Sequence, residues 1–577
     1  MKRLAAVLSI VVLVAGCATI PEESQPVAIP TSGPNQPALD LPQPARDLDP
    51  LDVVRGFVEA SARPLEENAA ARVYLEDAAR KNWRPHQGLI VIQDVFGTVY
   101  GVGDEKSPDP NEQTVVVRGF SVGKLAPDNA FIPEKDAYQL SLRVRRQQDG
   151  AWRIVNPPTD LAITESAFAQ NYFRVPVYFF APDSESLVPD LRYVMAKPQV
   201  TLPGRVVDLL LEGPSEFLDG AVRNALERAD TDTNVIGNSD GSLLVPLSGV
   251  DQESLETKKL IAAQIVLSLQ SVTTSRIRIQ VDGNPLVPGQ EEWRPTDLPS
   301  YETATLPRSE LKGLVSVGGR VRSLADGNPI PGPAGSGAYQ VVSGAQSIDG
   351  RQLAVVERLG GRLRLRVGDY GREAVAVNLE GGSMTRPTWR PATSAGGNAG
   401  ELWTVTDGVN VVRVTRGPDG NWGTQVVNAD MVRQIGTITA LRLSRDGTRV
   451  ALVAGEKLVV ASVVRTPDSV SLRSPRILQA DRLTEVVDVD WASQDSLVAV
   501  TSSRSLSVVK VPVDGLRLDP FNSSNLTPPV HAVTAMPSRA VIVADSGGLW
   551  TASEVGEVWR PHEPTTTGDD ARPFYPG

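Results

Sequence analysis

Cys17 is the single cysteine in 577 residues, and it follows a short basic start and an apolar run in the local sequence Leu13-Val14-Ala15-Gly16-Cys17. With no second thiol in the chain a disulfide is ruled out, so its chemistry is that of a nucleophile open to acylation. The three histidines, His86, His531 and His562, stand in different neighbourhoods and supply neither a zinc-ligand spacing nor a Ser-His-Asp triad. Asp349, Asp446 and Asp495 recur at one position per repeat, which is the behaviour of a turn residue, whereas a glycosidase needs two carboxylates converging on its substrate. Trp389, Trp403, Trp491 and Trp550 recur beside strands, where packing accounts for them. No catalytic residue, cofactor or metal is expected, and the chain reads as a non-enzyme.

The elements around Cys17 are those of an export signal. Met1-Lys2-Arg3 is a charged start, and residues 4–14 are apolar but too few to span a bilayer. Ala15-Gly16-Cys17 resembles the lipobox of bacterial lipoproteins. That resemblance implies removal of residues 1–16, an S-diacylglycerol group on Cys17 and an N-palmitoyl group on its new amino terminus. At roughly 0.8 kcal/mol per buried methylene, two or three acyl chains hold a protein to a membrane durably. No second apolar run of about 18 residues follows, so the lipid is the expected membrane attachment. The net charge, -11 for the chain and about -13 once Lys2 and Arg3 are gone, argues against nucleic acid or an anionic membrane surface as the main partner. Residues 17–50 carry eight prolines and few large apolar side chains, the composition of a tether. As polyproline II its 33 residues after Cys17 would reach roughly 100 Å.

Three folded domains are expected beyond the tether. Residues 51–165 read as α+β: helical periodicity from Leu51, an alanine-rich segment over 69–81, then strands over 89–102, 114–125, 138–146 and 152–155. Two helices followed by such a meander resemble the cone-shaped domains of the nuclear-transport-factor-2-like (NTF2-like) class, some of which hold pockets and enzymes. Here His86 and Tyr100 show no base-plus-acid spacing, and a structural or binding role is expected. Residues 172–290 give two strands, a helix closed by Gly213-Pro214, a further strand, and a helix over 254–272 with Leu255, Ile261, Ile265, Val266, Leu269 and Val272 inward. Val281-Asp282-Gly283 then makes a turn. The pieces Leu209-Leu210-Leu211-Glu212-Gly213-Pro214, Gln264-Ile265-Val266 and Val281-Asp282-Gly283, in that order over about 115 residues, resemble the α/β GerMN domain of germination and sporulation proteins. The resemblance implies an interaction module without catalytic residues; taken singly, most of these residues serve packing or turns.

Residues 310–577 repeat. Ser347-Ile348-Asp349-Gly350 returns as Ser444-Arg445-Asp446-Gly447 and more loosely as Ser493-Gln494-Asp495-Ser496, and strands starting at Leu353, Leu402, Val450, Leu497 and Val541 are spaced by 49, 48, 47 and 44 residues. A period in the forties with Asp-Gly turns is the mark of a β-propeller. Five blades are visible, and residues 314–324 supply strands for a sixth or help to close the ring. The Gly-x-Thr-Trp continuation of a sialidase box is missing at all three Asp positions.

Lipobox, proline tether, cone-like domain, GerMN-like domain and propeller, in this order and ending in Pro573-Phe574-Tyr575-Pro576-Gly577, resemble the actinobacterial LpqB lipoprotein family. That resemblance implies a lipoprotein on the extracytoplasmic face of the cell membrane. It also implies binding to the extracytoplasmic sensor domain of the Mtr histidine kinase and modulation of that two-component system in cell-envelope homeostasis. The alternatives are a propeller that binds or cleaves cell-wall carbohydrate, supported by convergent carboxylates in its channel and opposed by a plugged one, and a spacer between membrane and wall.

Overall fold

Helix α1 (Pro50–Ser61) begins on the last proline of the tether, because proline suits the first helical position and the Asp49 carboxylate accepts from the Asp52 amide at 2.9 Å. The computed structural model in which it lies describes residues 43–577 apart from 64, 87, 102–108, 232–234, 300, 302–306, 393–398 and 565–567. Cys17 and tether residues 18–42 lie outside the described residues. Val53, Val54, Phe57 and Val58 of α1 are buried. The alanine-rich segment expected over 69–81 is instead two helices, α2 (Leu65–Arg72) and α3 (Asp77–Asn82). Between them the backbone is captured by the sheet edge: Leu75 is fully buried, the Glu76 amide donates to Ile154 O at 2.9 Å, and the Ile154 amide donates to Tyr74 O at 3.0 Å.

The first sheet comprises β1 (Leu89–Ile92), β2 (Gly97–Tyr100), β3 (Glu112–Leu125), β4 (Phe131–Pro133), β5 (Ala137–Arg146), β6 (Trp152–Ile154) and β7 (Leu161–Thr164), in the order β6-β5-β3-β1-β7 with β2 and β4 also on β3. The expected single strand over 89–102 is split into β1 and β2, and β4 and β7 were absent from the sequence reading. The interior of the cone is filled by Phe57, Trp83, Phe131 and Phe168, with the Trp83 indole donating to Pro158 O at 2.7 Å. Helix α4 (Glu165–Asn171), capped by the Thr164 hydroxyl, then runs without a linker into the next module.

That module opens with a hairpin of β8 (Tyr172–Phe180) and β9 (Leu187–Met195), paired from Tyr172↔Met195 to Phe180↔Leu187. Helix α5 (Leu202–Glu212) follows, then β10 (Ile236–Gly237), β11 (Ser242–Leu247), α6 (Leu255–Leu269), β12 (Arg276–Val281) and β13 (Asn284–Pro285). β11 and β12 are parallel, so their connection must cross over, and α6 is that crossover. Ile261, Ile265, Val266 and Leu269 of α6 are fully buried as expected, but Leu255 is 51% exposed. It sits in the first turn beside the Ser254 cap, ahead of the point where the helix enters the core.

Six sheets form the propeller. Five have four strands, with innermost strands at Val341–Gln346, Thr388–Trp389, Ile438–Leu443, Val486–Trp491 and Ala532–Thr534 and second strands at the repeated positions, from Gln352–Leu359 to Val541–Asp545. The sixth joins the two ends of the domain: Arg572–Phe574 pairs with Leu314–Val317, which pairs with Arg320–Ser323 across a Gly318-Gly319 turn of positive φ (56° and 72°). Successive innermost strands are neighbours around the whole circle, so the ring closes with six blades. Two of the recurrent tryptophans tie blades together: Trp389 donates to Ala345 O and Trp491 to Arg442 O, each at 3.0 Å and each on the preceding blade.

The modules share cores. Leu516 of the fourth blade and Tyr193 of β9 lie in the core of the first module, while Ala181, Val188, Leu191, Phe217 and Leu218 of the second pack with Val453, Val460, Trp491 and Val511 of the propeller. Residues 44–577 accordingly make one compact unit.

Candidate functional site: a filled channel and the module seams

The axis of the ring is occupied by charge. Asp490, on the innermost strand of the fourth blade, accepts from Arg386 at 3.0 Å, from the Thr534 hydroxyl at 2.9 Å, from the Ala535 amide at 3.2 Å and from Arg442 at 3.3 Å. Arg386 also donates to Val533 O at 3.1 Å and Pro573 O at 2.9 Å, Arg442 to Pro387 O at 2.7 Å and Gly577 O at 3.3 Å, and Arg445 to Pro576 O at 2.8 Å. Burial alone would push the Asp490 carboxyl up. The guanidiniums of Arg442, Arg386 and Arg445 outweigh it and hold the group at about 2. Burial pushes Arg442 and Arg445 down to about 10, so both stay charged at neutral pH. A carboxylate held this way is no proton donor. The space left between Trp389, Arg442, Asp490, Trp491 and Gly577 is about 10 Å³, at most room for one water and far too small for a sugar ring.

The recurrent aspartates are turn residues. Asp349 accepts from the Ser347 hydroxyl at 2.5 Å, Asp446 from Ser444 at 2.6 Å and Asp495 from Ser493 at 2.6 Å. Two of these turns carry the second module. Arg449, paired with Asp446 at 2.9 Å, donates to Pro189 O at 3.1 Å, and Arg174 reaches Asp495 at 3.4 Å. A neighbouring chain of charge runs from Asp183 through Arg390 to Glu401 and Arg465. The Tyr193 hydroxyl donates to the buried Asp514 carboxylate at 2.7 Å, a third tie between module and blade.

A buried hub joins the first two modules. Arg192 is 0% exposed; it donates to Asp190 at 2.7 Å, to Gly213 O at 2.9 Å and to Asp128 O, while Asp190 accepts from the Ser215 amide at 2.7 Å and its hydroxyl at 2.9 Å. The Gly-Pro motif after α5 is thereby explained: Gly213, at φ 94° and ψ -170°, turns its carbonyl onto Arg192 from a backbone region reserved for glycine. Gly213→Ala is expected to destabilise the fold by about 1–3 kcal/mol, read as a shift in the urea unfolding midpoint. The Gln264 of Gln-Ile-Val is likewise internal, accepting from the Ala225 amide at 3.0 Å and donating to Asn224 at 2.7 Å.

The histidines stay apart. The fold does bring His86 to Asp160, 74 residues away, at 2.8 Å, a base-and-acid pair that no sequence spacing showed; both side chains are more than half exposed and line none of the clefts described below. His531 contacts Ala571 O at 3.1 Å, His562 is half-buried elsewhere, and Tyr100 is 48% exposed at the end of β2. Among the described residues no group of three or more His, Asp or Glu could hold a metal. Two clefts lie along the seams instead. One, of about 750 Å³, separates the first sheet near Ile132 and Lys135 from the third blade near Met431 and Arg476; burial, with Asp94 nearby, pushes the Glu165 carboxyl at its edge upward. The other, of about 440 Å³, lies where all three modules meet, between Phe173 and Lys510.

Comparison with known proteins assigns each module. A model described as the Lipoprotein LpqB N-terminal domain matches residues 43–169, one described as Sporulation and spore germination matches 176–287, and one described as the Lipoprotein LpqB beta-propeller domain matches 318–576. Lipoprotein LpqB of Rhodococcus jostii (strain RHA1) is 32% identical over 600 residues, covering 99% of this chain and 97% of its own. The chain belongs to the LpqB lipoprotein family. Lipoprotein LpqB of Nocardia farcinica (strain IFM 10152) is 30% identical over 609 residues, with 99% and 98% covered, and that of Mycolicibacterium smegmatis (strain ATCC 700084 / mc(2)155) is 30% identical over 580, with 95% of each. Membership makes this an envelope lipoprotein, and among the described residues no helix is long and apolar enough to cross a membrane. The LpqB N-terminal match ends at residue 169, inside α4, and the germination-type match begins at residue 176, inside β8. The joint between these two parts of an LpqB protein is thus a continuous helix-to-strand passage.

Proposed function

We propose that this LpqB-family protein is a membrane-anchored regulator that works by docking on the extracytoplasmic sensor domain of the Mtr histidine kinase, modulating two-component signalling in cell-envelope homeostasis. The partner comes from the family resemblance. The observation that carries a docking role is the sharing of cores between all three modules, which gives the body a rigid composite surface, together with a propeller channel occupied by its own arginines and Asp490. A rigid surface that fits one conformation of a partner better than another shifts their balance by its differential affinity, a few kcal/mol at most. Cys17 is the acylation site in this reading, and anchoring both proteins to one membrane raises their effective concentration.

Calorimetric titration of residues 18–577 into the purified sensor domain is expected to give saturable one-to-one binding in the micromolar range or tighter. No heat, and no binding by a second method at high concentration, would overturn the partner assignment. Deleting the propeller is a poor way to map the docking face, since it would strip Ala181, Val188 and Leu191 of their core neighbours; charge reversals of exposed residues are the better tool. Cys17→Ala is expected to move the protein from the membrane fraction to the soluble one with an unchanged melting temperature, and a membrane fraction that stays full would defeat the anchor.

A further inference from the structure

We propose that the cleft at the meeting of the three modules binds an acidic saccharide, one whose ring carries a carboxylate or a phosphate. One wall is the start of β8, Phe173 and Arg174, with a Phe168–Tyr172 pair stacked at 4.9 Å also in the lining; the other is the fourth blade, with Ser493, Ser496, Lys510 and Arg517. The volume of about 440 Å³ and the position at a junction of modules are those of small-ligand sites, which run from about 300 to 1,000 Å³.

Three features set the class of ligand. Phe173 is 41% exposed and lines the cleft, so an aromatic surface is left beside polar walls where the C–H face of a sugar ring can cover it. The cleft carries three cations against the carboxylates of Asp495 and Asp519, in a chain whose net charge is -11. Asp495 is taken by Arg174 and the Ser493 hydroxyl, and Asp519 faces Lys510 in strand register; exposed Arg517 has no carboxylate among the lining residues, and the carboxyl in its field is that of Glu165, outside the cleft. Ser493 gives its one O–H to Asp495 and accepts from the Ser496 hydroxyl at 2.6 Å, so what this pair offers a ligand is the acceptor capacity of the Ser496 oxygen, suited to a sugar hydroxyl. A neutral sugar would leave the cation excess unanswered and a bare anion would leave the aromatic face wet; a sugar acid answers both. Such a ligand would touch all three modules at once, and its binding stands or falls separately from the kinase partner.

The test is calorimetry on the full chain in detergent with four probes: N-acetylmuramic acid for a carboxylate-bearing wall sugar, glucose 1-phosphate for a soluble sugar phosphate, and glucose and inorganic phosphate as controls. At least one of the first two is expected to bind saturably, at least about tenfold more tightly than either control, and more weakly as salt is added; which of them binds distinguishes the two sources. Phe173→Ala and Arg517→Ala are each expected to weaken that binding about tenfold with no change in melting temperature, as both side chains lie outside the cores. Lys510→Glu, on the exposed rim, is the further variant and is expected to weaken it as well. Failure of both sugar acids to bind at millimolar concentration, equal binding by glucose, or full affinity in the variants would overturn the proposal.

Discussion

Asp490→Ala is expected to cost the protein about 3–5 kcal/mol of unfolding free energy, because it leaves buried guanidinium groups without their counter-charge. Arg442 and Arg386 both end on this carboxylate, Arg445 lies in its field, and the Thr534 hydroxyl and the Ala535 amide converge on the oxygen that Arg386 also reaches. Asp490→Asn keeps the size of the group and loses the charge, so most of the loss is expected to remain. The control that isolates the charge effect is a combined change: Asp490→Leu with Arg386→Met and Arg442→Met removes the carboxylate and both guanidiniums that end on it, and apolar replacement of a buried ionic cluster is often neutral. Urea unfolding of the single and combined variants measures both. A single variant within about 1 kcal/mol of the parent would mean that water enters the channel and takes the place of the carboxylate.

The same group sets an acid limit. A carboxyl that titrates near 3.9 in an unfolded chain and at about 2 here binds its proton more weakly when folded, so its contribution, roughly 2–3 kcal/mol, is complete above the unfolded value. It is lost as pH falls from about 5 through about 2, and the midpoint of urea unfolding is expected to drop over that window. In Asp490→Asn this part of the acid dependence is expected to vanish, which separates Asp490 from the many exposed carboxylates.

Much of the propeller was legible because its signals are local. A Ser-x-Asp-Gly turn and the strand after it lie within about ten residues, and the hydroxyl-to-carboxylate bonds at Asp349, Asp446 and Asp495 are what such a turn needs. The channel was not read, although its marks are present: Asp488 and Asp490 alternate along one face of Val486–Trp491, and Arg442 interrupts the apolar run of Ile438–Leu443. Alternation says that these side chains share a face, but only ring closure says that Arg442 on one blade meets Asp490 on the next. His86 and Asp160 escaped for the same reason, since a pair 74 residues apart has no spacing to recognise. The shared cores were hidden differently. Val188 and Leu191 of β9 look like any strand residues facing their own domain, and nothing in an apolar pattern tells a home core from a neighbour's. Leu255 failed in the opposite direction: it continues the helical stripe of α6 on paper, yet the helix reaches the core only further along.

Arg192→Ala is expected to be as damaging as the loss of Asp490, and to act on the joint between the first two modules. The sequence marks β9 as a strand and assigns no role to the charged pair at its centre, yet Asp190 and Arg192 are 4% and 0% exposed. The guanidinium links three chain segments: the strand itself through Asp190, the turn after α5 through Gly213 O, and the 126–130 loop of the first module through Asp128 O. Its removal leaves Asp190 buried with only the Ser215 donors, and strands two carbonyls, for an expected loss of about 3–5 kcal/mol. Lysine is not expected to rescue it, because a single ammonium cannot reach carboxylate and two carbonyls in the directions a planar fork does. The site of damage is the sharper test. Because the 126–130 loop also holds the Glu216 amide on Asp128 and the Ala126–Ala130 backbone bond, losing Arg192 is expected to open that loop first. Limited proteolysis of the variant is expected to cut between the first and second modules before the propeller is touched, whereas the parent resists at both places. Cleavage that begins in the blades would show that the joint is held by its apolar contacts, Phe131 on Tyr193 among them at 6.2 Å, and that the buried charge serves the strand alone.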